Sequence, residues 1–403
     1  MIQSHLNVHR CGRGRLSRSL SVPFMMIAVL VTATACGRSH AVGDRGTGQA
    51  ALTRQNNPAG AGSELSPLSV SFVSPSTGWL LAVPPCADQA HDPCQTLLLR
   101  KTTDGGRTWV AVPAPPVPPV LYAGSPAPGV GQILFTSSRD GWAWGPQLWQ
   151  TRDGGATWRQ VRVPGGPVQS VAAAAGRVLV ATGHCAQASS WSCRFAVYTS
   201  PAGMNAWRLI PGAGSQRTGP ASLIGSGLIG YVLTTTRDLG RPLLLAGQAD
   251  GSARWAALPD PCLSAWSVAL AAASGWLFLG CGSEPGAGNQ LKTAYISGDN
   301  GRTWRRVASP PSGGYLGAAS MSPGGTIFLS GGRMDVYISR DRGRSWQTSP
   351  SLNYAAGLAG AGADLFASMT SDTSGYAIQI GIYERQFWIT SDGGRRWSAV
   401  TVR

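Results

Sequence analysis

Apolar and polar positions alternate along this chain in short bursts, separated by turns rich in Gly, Asp, Ser and Pro. The stretch GQILFTSSRDGWAWGPQLWQTRDGGATWRQV, residues 131–161, contains one full cycle of the pattern. Period-2 alternation bounded by turn residues predicts a strand over 133–136 and a second strand opening at Gly141-Trp142. A third is predicted over 148–150, and a fourth after Trp158. Gly-aromatic openings recur at Gly78-Trp79, Gly230-Tyr231 and Gly275-Trp276, each ahead of an apolar run.

The turn before the fourth strand repeats. TTDGGRTW ends at Trp109, TRDGGATW at Trp158, SGDNGRTW at Trp304, SRDRGRSW at Trp346 and TSDGGRRW at Trp397. Two decayed copies lie between them: SPAGMNAW, ending at Trp207, and QADGSARW, ending at Trp255, which keeps Asp250. The closing tryptophans are 42–51 residues apart. A period of this size marks a repeat architecture, and four short antiparallel strands per unit, seven times over, predict an all-β, seven-bladed β-propeller of four-stranded blades.

Each residue of the turn has a mechanical reading. Asp104, Asp153, Asp250, Asp299, Asp341 and Asp392 are expected to accept hydrogen bonds from their own turns, and the glycine to supply a positive φ. The tryptophan (Trp109, Trp158, Trp255, Trp304, Trp346, Trp397) is expected to fold back into its blade. Burying about 150–250 Å² there is worth about 4–6 kcal/mol before opposing entropy. Close copies in equivalent places fit scaffolding and not an active site, because catalysis needs one constellation.

S-x-D-x-G-x-T-W resembles the Asp-box, or BNR repeat, of sialidase, xyloglucanase and sortilin-type propellers. The longer pattern running from Phe135 through Asp140-Gly141-Trp142-Ala143 to Thr151-Arg152-Asp153-Gly154-Gly155 is similar to photosystem II stability/assembly factor-like propellers. The likeness spans residues 68–403. It implies the propeller fold, with the boxes on the periphery, and implies little about function. A sialidase would need an Arg-Ile-Pro-type motif before the first box, and none precedes Trp109; Arg208-Leu209-Ile210-Pro211 is out of place.

Composition changes the picture at the N-terminus. Arg10, Arg13, Arg15 and Arg18 precede the apolar run SVPFMMIAVLVTATAC, residues 21–36, which has the layout of a secretion signal. Ala33-Thr34-Ala35-Cys36 resembles a bacterial lipobox, which implies cleavage before Cys36 and its acylation. The expected organisation is a lipoprotein signal over 1–35, a flexible tether over 36–67, poor in large apolar residues, and a propeller over 68–403. The expected location is the extracytoplasmic face of a bacterial cell membrane, or outside the cell if Cys36 carries no lipid.

The net charge of +15 comes almost wholly from arginine. Arg107, Arg302, Arg344, Arg395 and Arg396 fall in box turns, where an outward side chain is expected. An exported chain without a recognition motif is not expected to bind nucleic acid.

Of eight cysteines, six lie in the repeat region. An exported chain makes disulfides plausible, and the nearest pairings are Cys86–Cys94, Cys185–Cys193 and Cys262–Cys281. No C-x-x-C spacing supports a metal site. All three pairs fall in loops expected on one face, with the box turns elsewhere, on the outer part of each blade. The residues placed on that face are His91, Asp92, His184, Trp191, the Pro-rich loop 113–128, and an insertion over 372–386 with Tyr376, Tyr383 and Glu384.

These features predict a membrane-anchored, monomeric binding or assembly module for a protein or glycan partner at the cell envelope, without catalysis, cofactor or metal. The alternative is a sialidase-like extracellular glycosidase. Its carboxylates and arginines should then cluster at the mouth of the central channel.

Overall fold

A computed structural model describes residues 64–85, 96–121, 128–185, 193–235, 242–262, 265–331, 336–349, 364–380 and 385–403. Among these residues, twenty-eight strands form seven four-stranded antiparallel sheets, the blades of a β-propeller. Blade 1 is β1 (Ser66–Phe72), β2 (Gly78–Val83), β3 (Leu98–Thr102) and β4 (Val110–Val112); blade 2 is β5 (Gln132–Phe135), β6 (Gly141–Trp144), β7 (Leu148–Thr151) and β8 (Arg159–Val161). Blade 3 is β9 (Val168–Ala174), β10 (Arg177–Cys185), β11 (Cys193–Pro201) and β12 (Arg208–Thr218); blade 4 is β13 (Ser222–Ser226), β14 (Ile229–Thr235), β15 (Pro242–Gln248) and β16 (Ala256–Ala257). Blade 5 is β17 (Ser267–Ala273), β18 (Trp276–Gly282), β19 (Lys292–Ser297) and β20 (Arg305–Arg306). Blade 6 is β21 (Leu316–Met321), β22 (Ile327–Gly331), β23 (Val336–Ser339) and β24 (Gln347–Thr348). Blade 7 is β25 (Asp364–Met369), β26 (Gly375–Ile380), β27 (Arg385–Thr390) and β28 (Ser398–Ala399).

Strands pair in chain order within every blade. First strands lie against those of neighbouring blades, β1 on β5, β9 on β13, β17 on β21 and β21 on β25. They therefore surround the axis, and the fourth strands, short and exposed in blades 1, 4, 5, 6 and 7, form the rim. Antiparallel order puts the β1–β2-type and β3–β4-type turns at one end of every blade, here called the box face. The second-to-third loops and the connections between blades open on the other, upper face.

The box turn is a closed polar circuit. In blade 5 the Ser297 hydroxyl donates to Asp299 Oδ1 at 2.7 Å and accepts from the Gly301 amide at 2.8 Å. Asp299 then accepts from the Thr303 amide at 2.9 Å and its hydroxyl at 2.6 Å. Blades 1, 2 and 6 repeat the same bonds. In blade 7 Arg396 stands where the hydroxyl residue belongs and supplies only its amide. These donors favour the ionised carboxyl. Led by the Thr157 and Thr303 hydroxyls, they lower the pKa values of Asp153 and Asp299 from 3.8 to about 2.

The tryptophans do something the sequence did not predict. They lie in the seams between blades, and three of them pin their blade to the one before it. Trp158 Nε1 donates to Pro113 O at 2.9 Å, Trp304 Nε1 to Pro259 O at 3.0 Å, and Trp346 Nε1 to Ala308 O at 2.8 Å. Each acceptor lies just beyond the fourth strand of the preceding blade. The rings meet seam aromatics edge-on, Trp158 on Phe135, Trp346 on Phe278, Trp397 on Phe328 and Trp109 on Phe387. The reason is spatial: a four-stranded blade already has its core filled by its own strands, whereas the outward splay of neighbouring blades leaves a wedge that a large ring fills. Trp109 and Trp255 lie in seams but bond differently: Trp109 Nε1 donates to Gly106 O of its own turn, and Trp255, its ring over Gly230 and Gly247 against blade 3, donates through Nε1 to Gln248 O of its own blade.

Among the described residues the ring closes without a shared strand. Leu65, Val70, Leu80 and Ala82 of blade 1 pack with Ile378, Phe387 and Val402 of the blade 7 region. Phe72 stacks on Tyr376 with centroids 5.4 Å apart. One backbone bond, from the Leu65 amide to Val402 O at 2.8 Å, and one from Arg100 Nε to Arg403 O at 2.8 Å complete the join.

Candidate functional site

Among the described residues two disulfides are formed, Cys185–Cys193 and Cys262–Cys281. The first joins the facing ends of β10 and β11, and the second ties the connection into blade 5 to β18. Both stiffen the upper face. Cys86, Cys94, His91, Asp92, Trp191, Tyr383, Glu384 and Cys36 lie outside the described residues. His184 is exposed at the end of β10, beside Cys185.

Two of the sequence placements need correction. Tyr376 is not a loop residue of the upper face. It starts β26 in the seam against Phe72, where burial pushes its phenol pKa up. Gly375-Tyr376 is a further Gly-aromatic strand opening, and this signal was available in the sequence. Asp372 lies in the turn before that strand, on the box face, and accepts from Ser322 Oγ at 2.9 Å and the Gly324 amide at 2.6 Å of blade 6. Part of the 113–128 loop is likewise committed to packing, because Val117 and Leu121 join the core between blades 1 and 2.

Between blades 5 and 6 the upper face carries a feature that residue types alone did not reveal. Gln290 is 2 % exposed. Its side-chain oxygen accepts from the Leu316 amide at 2.6 Å and bonds Ser267 Oγ at 3.1 Å, and its amide nitrogen donates to Ser283 O at 2.5 Å. Next door, the buried Lys292 ammonium donates to the carbonyls of Gln290, Pro311, Gly313 and Gly314 at 2.8–3.2 Å. These bonds hold together the start of β17, the hairpin before β19 and the connection into blade 6.

Each of those three segments presents one large apolar side chain to solvent. Trp266 precedes Ser267 and is 62 % exposed; Leu291 follows Gln290 and is 72 % exposed; Tyr315 precedes Leu316 and is 47 % exposed. The Cys262–Cys281 bridge lies a few residues from Trp266. A buried polar network that satisfies all its members rigidifies its surroundings. Exposed aromatic anchors on a rigid base are the usual core of an interface. Sequence reasoning missed this trio because Trp266, Leu291 and Tyr315 are not neighbours along the chain, and nothing in their residue types separates them from seam residues.

The seven inner strands carry one charged residue, Asp364. No group of three or more His, Cys, Asp or Glu suited to a metal ion occurs among the described residues. Two clefts lie toward the box face. A cleft of about 560 Å³ at the seam of blades 7 and 1 has Phe72, Tyr376 and Ile389 along with Asp104, Arg107, Asp392 and Arg396 in its lining. A second, of about 340 Å³, lies between blades 6 and 7.

No family model matches the sequence, and no curated protein matches it. Solved structures share the fold. A structure of YCF48 bound to D1 peptide superposes with a TM-score of 0.51 at 17% identity, covering 85% of this chain and 94% of that one. YCF48 from Cyanidioschyzon merolae gives 0.50 at 16% identity, covering 82% and 96%. A GH74 xyloglucanase from Xanthomonas campestris gives 0.32 at 12% identity, covering 83% and 72%. The two YCF48 structures share the propeller fold, and at such identities the chemistry is left to this chain's own residues.

Proposed function

We propose that the protein is a non-catalytic binding propeller that holds a protein or glycan partner on its upper face, with Trp266, Leu291 and Tyr315 as the anchors. The observation that carries this reading is their exposure around the buried Gln290 hub. Ordering such side chains for binding costs little, because the hub and the disulfide already fix their backbones. The inner strands supply Asp364 as their only charged group, which gives no support to the carboxylate and arginine set of a glycosidase. That one structural neighbour was solved with a peptide bound agrees with a protein partner.

The same proposal places the protein outside the cytoplasm, exported by residues 1–35 and tethered through acylated Cys36 and the segment 36–67. The two disulfides support an oxidising compartment. The box residues act as scaffold in this reading, the protein works as a monomer, and no cofactor takes part.

The test is site-specific photo-crosslinking on the cell envelope from position 291, with position 110 on the rim as control, since Val110 is also exposed. A discrete adduct at 291 that is lost in Trp266→Ala and Tyr315→Ala is expected. Equal labelling at both positions, or turnover of fluorogenic glycosides by the purified protein, would overturn the proposal.

A further inference from the structure

The cleft between blades 6 and 7 is bounded by Ile338, Arg340, Gln347, Ser349, Gly394 and Arg395. Arg340 occupies the variable position between Ser339 and Asp341 of its box, and Arg395 follows the glycine pair of the next one. The propeller therefore brings guanidiniums from two adjacent repeats to one concave site on the box face.

Both are held by neutral acceptors. Arg340 Nη1 donates to the Gln347 side-chain oxygen at 3.2 Å, and Nη2 to Gly393 O at 3.0 Å across the seam. Arg395 Nη1 donates to Asp392 O at 3.1 Å. These bonds orient the planes and cancel no charge. The Asp392 carboxylate is already engaged by the Thr390 hydroxyl and the Arg396 amide. Partial burial, and then the charge of Arg395, pull the Arg340 pKa below its ordinary value, and the attraction of Asp392 offsets less than either. Two cations are thus kept close at some cost, with N–H donors left over, since each guanidinium has five.

We propose that this cleft is a binding site for a phosphoryl oxyanion, held between Arg340 and Arg395. A phosphate monoester carries nearly two negative charges and three acceptor oxygens, which suits two planar forks better than a carboxylate with one charge and two oxygens. The Ser349 side chain and Gln347 lie at the same wall, and the volume leaves room for the ester group that carries the phosphate. The site lies away from the Trp266 patch and stands independently of the binding function proposed for it.

The experiment uses the full-length chain in detergent solution. Its unfolding midpoint is followed while inorganic phosphate replaces chloride at constant ionic strength, with acetate as a second reference. A saturable rise specific to phosphate is expected. Arg340→Gln and Arg395→Gln should each weaken the apparent affinity by about tenfold or more, the loss of one charge-assisted pair. Arg344→Gln, in the same box but outside the cleft, should leave it unchanged. Both side chains are exposed, and Arg395 makes no bond across the seam, so its variant reports binding even if Arg340→Gln disturbs the join to Gly393.

Co-sedimentation with phosphatidylcholine vesicles, with and without phosphatidic acid, whose headgroup is a phosphate monoester, separates the sources. Vesicle binding weakened by Arg395→Gln assigns a lipid headgroup. A phosphate response without that dependence assigns a soluble phosphate ester. The proposal fails if wild type, Arg340→Gln and Arg395→Gln respond alike, or if neither phosphate nor vesicles give a saturable signal.

Discussion

Blades 3 and 4 have lost the box, and blades 1, 2, 5, 6 and 7 have kept it. In blade 3 the Ser200 hydroxyl stands in for the circuit, accepting from the Ala206 amide and donating to Met204 O. Trp207 packs against the core between blades 2 and 3, but its Nε1 has no partner among the described residues. In blade 4 Asp250 keeps a single amide donor, Ser252, and Trp255 turns inward to 2 % exposure. The box is therefore one way of filling a seam, and a blade without it must fill the seam differently.

The substitutes are visible. Blade 3 has the longest outer strands, nine residues in β10 and β11 and eleven in β12, against four, four and three in blade 2. A disulfide closes the end of its hairpin. The seam of blades 3 and 4 is built by Leu179, Val197, Ile210, Val232 and Trp255. Met204, Leu209 and Leu228 remain exposed around the two decayed turns. Longer ladders and a covalent staple here replace the polar circuit and the Trp pin.

Breaking a pin should separate the two regions most clearly. Trp304→Ala removes a large seam ring and orphans Pro259 O; it should destabilise by about 4 kcal/mol in chemical denaturation, in the range for large aromatics. Trp207→Ala, which loses no such bond, should cost about half as much. Equal losses would mean that the pin adds nothing beyond area.

Removing the staple tests the other side. Cys185→Ala with Cys193→Ala should cost about 2.5 kcal/mol, as expected for a short closed loop. A wild-type denaturation curve insensitive to reductant would show that the blade 3 ladders suffice alone.

Backbone demands rank next. Gly301 has φ +87°, and an added Cβ would sit 2.6 Å from Leu258 Cδ1 of blade 4. Gly301→Ala should cost about 2 kcal/mol, strain plus a pushed seam. Gly227, with φ +57° and nothing within 4 Å, should cost about 1 kcal/mol for strain alone. Matching values would remove the seam contribution.

Acid should act most gently and on the box blades most. Asp153 and Asp299 have folded pKa values below the unfolded ones, so the unfolded chain binds more protons between them. Their contribution is complete above pH about 4 and is lost as pH falls through about 2. Asp153→Asn with Asp299→Asn should flatten the slope of Tm against pH across that window, and Asp250→Asn should flatten it less.

Much of the scaffold was legible because repetition amplifies local signals. The strand openings Gly141-Trp142, the box at 151–158 and its copies put every blade in its place, as backbone preferences and turn chemistry act over a few residues. The direction of the tryptophans was not legible. Whether Trp158 enters its own blade or the seam depends on the void left by a neighbour that the repeat does not describe. Tyr376 differs from its expected place for a related reason: the span 372–386 contains β26 itself, whose Gly375-Tyr376 opening is present in the sequence, but its packing against Phe72 depends on the neighbouring blade.

The sequence by itself determined seven units, four strands in each, and the residues that must form each turn, since those choices rest on φ preferences, period-2 burial and hydrogen bonds closed within eight residues. Tertiary structure alone decided the seams, the closure of blade 1 on blade 7 and the tying of the segments that bear Trp266, Leu291 and Tyr315 to Gln290. Those depend on how rigid blades splay around an axis, and contacts between segments distant in sequence leave no local periodicity to read.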